Sequence, residues 1–142
     1  MLNLEWTMKV LVLDDIKTDL MMLYIQMIQT GIEMSITQCD DADEALRLLQ
    51  QESFDLVVSD YFLNYTDATQ VIETTRQMGN KVPFIVVSSR AEELLPQKLL
   101  DIGAIAVLQK PVSSRSLLAA ITGISNNPIF IHSGTNLLEP RP

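Results

Sequence analysis

Short apolar runs alternate along the chain with longer stretches whose apolar residues recur every three or four positions. The runs at 9–13, 54–59, 84–87 and 105–108 are rich in β-branched residues and lack clean polar alternation. That is the pattern of strands buried on both faces of a parallel sheet. A weaker run at 34–37 reads as another strand. The stretches between them read as helices. One covers 17–29 and stops at Gly31. A second opens on a capping box, Asp41-Ala42-Asp43-Glu44, and carries Ala45, Leu46, Leu48 and Leu49. A third covers 69–78 and stops at Gly79-Asn80. A fourth covers 92–102, with Leu95, Leu99 and Ile102 on one side, Pro96 in its first turn and Gly103 at its end. Ser113 or Ser114 caps a last helix through Ile121. Strand and helix alternate throughout, which predicts an α/β domain with helices on both faces of a parallel sheet.

In such sheets ligands bind beyond the carboxyl ends of the strands. Asp14-Asp15 follow the first strand, Asp60 the third, Ser88 the fourth and Lys110-Pro111 the fifth. Each signal alone has an ordinary reading as a cap, a turn or a solvated loop residue. Together they bring carboxylates, a hydroxyl and an ammonium to one place. Carboxylates suit Mg²⁺, which takes oxygen ligands and keeps several waters. A carboxylate can also attack phosphorus. Lys110 can neutralise phosphoryl charge, and the Ser88 hydroxyl can donate to a phosphoryl oxygen.

The bulk numbers narrow the classes. The chain has 142 residues, enough for one domain, and 47% are apolar, enough for a core. A net charge of −8 argues against direct nucleic-acid binding and against anionic lipid. One cysteine excludes an internal disulfide framework and fits a cytoplasmic protein. No apolar run approaches the roughly 18 residues of a membrane span, so no membrane role is expected. From 125 onward Asn, Pro and Gly punctuate the chain. The expected organisation is an N-terminal extension at 1–7, a domain at 8–124 and a tail or linker at 125–142. Within that tail Ile129-Phe130-Ile131 is apolar enough to pack on the domain or on a partner.

The chain resembles the receiver domain of two-component response regulators. The resemblance rests on Leu13-Asp14-Asp15, Val58-Ser59-Asp60, Val87-Ser88-Ser89 and Gln109-Lys110-Pro111, at the spacing that family uses. It implies a flavodoxin-like (βα)5 doubly wound fold with strand order 2-1-3-4-5. It also implies that Asp60 is the phosphoacceptor in a phosphorelay. Asp15 becomes a direct Mg²⁺ ligand, Asp14 its water-mediated partner, and the Phe62 backbone carbonyl a further ligand. Ser88 becomes the switch hydroxyl and Lys110 the phosphoryl-binding ammonium, with a cis bond to Pro111. The implied donor is a phosphohistidine on a histidine kinase or phosphotransfer protein. The implied output is a downstream protein partner or a homodimer. Such a domain is no enzyme in the ordinary sense, because it catalyses only its own phosphorylation and dephosphorylation.

The chain also departs from the family pattern. Asn64 and Ala68 stand where the family often has Pro and Gly. Val107 stands where many receivers have Tyr or Phe, and valine is too small and stiff to act as an inward-turning reporter. Phe62 and Arg90 flank the site at positions that influence dephosphorylation, and a bulky Phe62 predicts a long-lived phosphoryl group. The first helix is unusually apolar. Leu20, Leu23 and Met27 make the core stripe, and Met21, Tyr24, Ile25 and Ile28 widen it, either against the last helix or for a partner. Two rivals remain at this level: a Mg²⁺-dependent phosphatase with an aspartyl nucleophile, and a degenerate receiver that only binds. Nothing after Ile124 reads as an output module.

Overall fold

A computed structural model describes residues 7–123 and, beyond them, the backbone of two short strands. Five strands and five helices alternate as β1 (Met8–Leu13), α1 (Lys17–Gln29), β2 (Met34–Cys39), α2 (Ala42–Gln51), β3 (Leu56–Asp60), α3 (Ala68–Gln77), β4 (Phe84–Ser88), α4 (Pro96–Ile102), β5 (Ala104–Gln109) and α5 (Ser114–Thr122). The strands are parallel in the order β2-β1-β3-β4-β5, as expected. The added strand β6 (Ile129–His132) lies parallel to β5 on the outer edge, and β7 (Asn136–Leu137) turns back antiparallel on it. Part of the expected tail therefore continues the sheet.

Side chains alternate across this sheet, so each strand feeds two cores. Leu11, Leu13, Val57, Phe84, Val86 and Val107 face one apolar cluster with α2, α3 and α4. Val10, Val12, Leu56, Val58, Ile85 and Leu108 face the other, with Leu20, Leu23 and Met27 of α1 and Leu117 of α5. Burying one such side chain is worth about 2 kcal/mol, more than the ~1 kcal/mol that separates residues by strand propensity. Burial on both faces, not propensity, selects these runs as strands. Register then aligns their ends. Leu13 lies opposite Ser59, so Asp14 and Asp60 leave adjacent strands side by side. Ser88 lies opposite Gln109, so Lys110 emerges one step further on.

Two details differ from the sequence expectation. The helix expected at 92–102 is broken. A 3-10 turn, Ala91–Glu93, is followed by Leu94 and Leu95, and α4 starts only at Pro96. Proline disfavours helical backbone in the residue before it and is well placed as the first helical residue. Leu95 therefore stands outside the helix at 69% exposure, whereas Leu99 is buried. The second difference follows Asp60. Phe62–Leu63 and Thr66–Asp67 form a small antiparallel hairpin about Asn64 and Tyr65. Asn64 serves the turn, but Tyr65 takes the positive φ, 67°. Asp67 then caps α3 by accepting from the Gln70 N–H at 3.0 Å, which starts that helix at Ala68.

On α1, Leu20, Leu23 and Met27 are buried as expected. Met21, Ile25 and Ile28 remain exposed, so α5 does not absorb the wider apolar face. No helix among the described residues is long and apolar enough to cross a membrane.

Candidate phosphoryl and metal site

Asp14, Asp15 and Asp60 each offer an oxygen within 4.8 Å of the others. Asp14 is fully buried. Its Oδ1 accepts from the Ile16 N–H at 3.0 Å, and its Oδ2 accepts from Lys110 Nζ at 2.8 Å. It thus supplies the start of α1 with a partner that Ile16, which has no capping side chain, lacks. Asp60 is 6% exposed, and its Oδ1 lies 3.2 Å from Lys110 Nζ. Burial, then the charge of Asp14, pushes its pKa up to about 6 against the pull of Lys110. Burial also raises Asp14, again opposed by Lys110. Burial alone lowers a lysine, but the bond to Asp14 and the charge of Asp60 outweigh it and hold Lys110 above its usual value.

This donor set fits Mg²⁺. Ligand oxygens around an octahedral Mg²⁺ stand about 2.9 to 4.2 Å apart, close to the spread of the three carboxylates. A divalent ion would relieve the crowding that raises Asp60.

The other expected residues take definite positions. Ser88 is fully buried at the end of β4, and its Oγ accepts from the Arg90 N–H at 3.0 Å. The Lys110–Pro111 bond is cis. Val107 is fully buried in the cluster with Phe84 and Val86. Phe62 is 37% exposed and carries the Arg90 guanidinium 4.1 Å from its ring centre. Arg90 also pairs with Glu93 at 3.4 Å, so its charge lies over the hairpin and the 3-10 turn.

Two further residues take part for which no role was expected. Asp19 accepts from Lys110 Nζ at 3.1 Å. It lies in the first turn of α1, where an acid has an ordinary use at the helix dipole, so its position alone carried no signal. Gln109 gathers the loop after β4. Its Nε2 donates to the carbonyls of Ser89 (2.8 Å) and Lys110 (3.0 Å), and its Oε1 accepts from the Ala91 N–H (3.2 Å). Strand alternation beside Lys110 was the available hint.

Comparison with known proteins agrees with this fold. The family described as response regulator receiver domain matches residues 10–122. A probable chemotaxis protein CheY of Rhizobium etli is 28% identical over 118 residues, 82% of this chain and 91% of that protein. The alkaline phosphatase synthesis transcriptional regulatory protein PhoP of Bacillus subtilis is also 28% identical, over 82% of this chain but only 48% of its own length. The solved receiver domain of the Francisella response regulator 1452 superposes with a TM-score of 0.72 at 26% identity, covering 82% of this chain and 94% of that one.

Proposed function

The chain belongs to the response regulator receiver domain family, and we propose that it takes a phosphoryl group onto Asp60 from a phosphohistidine. The Asp60 oxygen forms a bond to phosphorus as the P–N bond breaks, and the imidazole nitrogen keeps the electron pair. Lys110 balances the added charge, and the Ser88 hydroxyl turns from the Arg90 amide toward a phosphoryl oxygen. Asp15, Asp14 through water, Asp60 and the Phe62 carbonyl would hold Mg²⁺, which supplies neutralisation of the transferring oxygens. Water later returns the carboxylate, so the domain acts only on itself.

The observation that carries this reading is the convergence of Asp14 and Asp60 on one lysine inside a buried site. The donor is a histidine kinase or phosphotransfer protein, whose helices suit the exposed Met21, Ile25 and Ile28 of α1. Downstream, the domain switches a protein partner or its own dimerisation. The fully buried Val107 leaves the β4 loop, rather than an aromatic side chain, to carry the change. The domain spans 8–124 and works in the cytoplasm. Acetyl phosphate with Mg²⁺ should add one phosphoryl mass to the protein and none to the Asp60→Asn variant. Continuous phosphate release from varied esters would instead support the phosphatase, and no adduct the degenerate receiver.

A further inference from the structure

The Lys110 ammonium donates hydrogen bonds to Asp14 and Asp19 and forms an ion pair with Asp60. Nζ lies 2.8 Å from Asp14, 3.1 Å from Asp19 and 3.2 Å from Asp60. An arriving phosphoryl group competes for that ammonium, and the three carboxylates differ in what release costs. Asp14 is fully buried and would be left charged and unpaired, which is costly. Asp60 is the reacting group. Asp19 is different, because its side chain is 40% exposed and water can replace the lysine at little cost. It also lies outside the set of Asp14, Asp15 and Asp60 that shares one metal-sized centre.

A carboxylate in the first turn of a helix has an ordinary use, favouring the helix dipole. That use does not need a bond to a residue 91 positions away, and Asp19 makes one. We infer that Asp19 is a positioning residue that holds the Lys110 ammonium aside in the resting domain and releases it to the phosphoryl group. It lowers the rate of phosphorylation by competing for the ammonium. This inference rests on the function proposed above.

The test follows phosphorylation by acetyl phosphate and Mg²⁺ in the full chain. Here the Asp60 oxygen bonds phosphorus as the bond to the acetate oxygen breaks, and acetate leaves with the electron pair. Asp19→Asn should speed adduct formation about threefold, the scale of a half-exposed ion pair. Asp19→Glu, which keeps the charge, should restore the original rate. In a Lys110→Ala background Asp19→Asn should change nothing, because the competition needs the ammonium. The side-chain ¹⁵N resonance of Lys110 should move on Asp19→Asn without Mg²⁺ or phosphodonor. An unchanged rate in Asp19→Asn overturns the inference. So does an equal acceleration in the Lys110→Ala background, which would mean simple repulsion of the donor, or a Lys110 resonance that stays in place. Absence of any adduct in the unaltered protein overturns the proposed function itself, and this inference with it.

Discussion

Two partly buried cations staple the two ends of the sheet, and they are held in opposite ways. At the carboxyl end Lys110 meets three carboxylates. At the amino end Arg76 of α3 meets carbonyl oxygens, donating to Ile102 (3.0 Å), Asn80 (3.0 Å) and Gly103 (3.3 Å), and it stacks over Phe84 at 5.6 Å. None of the described ion pairs includes Arg76, and burial lowers its pKa. Carbonyls satisfy its donors without adding charge, so that end is a fixed joint between α3 and the turn into β5. Lys110 sits among more negative charge than it can cancel. That imbalance suits the carboxyl end to a divalent cation and lowers stability without one.

If this contrast holds, removing a carboxylate should stabilise the metal-free protein. Asp60 holds its proton to about pH 6 in the fold, against an ordinary value of 3.8. Between those values the folded state binds more protons than the unfolded state, so stability falls as pH rises and stays lower above pH 6. The difference corresponds to roughly 3 kcal/mol. With EDTA present, Asp60→Asn should gain up to that amount over the unaltered protein at pH 8, relative to pH 4, in urea unfolding. An equal difference at both pH values would erase the contrast.

The opposite end is probed by Gly103→Ala. Gly103 has φ 127°, and a Cβ there would fall on the Arg76 guanidinium. Expelling that group and forcing alanine into this backbone should cost about 2 kcal/mol in urea unfolding. The initial rate of phosphorylation should stay unchanged, since the staple lies at the far end. A lost rate with intact stability would show that the ends are not separate.

The smallest effect concerns the rim of the site. Phe62→Ala removes the ring under Arg90. Aspartyl phosphate should then decay about threefold faster, the scale of one exposed cation–π contact, as followed by loss of the mass adduct. Decay at the original rate would mean that Phe62 does not hinder water.

The sequence revealed what repetition and burial dictate. Runs such as Val10–Leu13 and Phe84–Val87 are too apolar and β-branched for a surface, and their ends placed Asp14, Asp60, Ser88 and Lys110 correctly at the edge of the sheet. It failed where a single local choice decides the outcome. Pro96 broke α4 because the residue before proline leaves helical backbone, turning Leu95 outward. The hairpin after Asp60 was unseen, so Asp67 went unnoticed as a cap. Asp19 drew no reading at all, because its partner is distant in the chain. The sheet continuing through Ile129–His132 was missed because Asn and Pro before it read as linker.

Gln109 and Lys110 are consecutive, yet they serve opposite sides of the same strand end. One carboxamide grips the Ser89 carbonyl, the Ala91 amide and the Lys110 carbonyl together. A backbone shift at Lys110 is thus delivered to the β4 loop over the length of a single side chain. The wrist that turns one hand turns the other, and Val107 makes none of those three bonds.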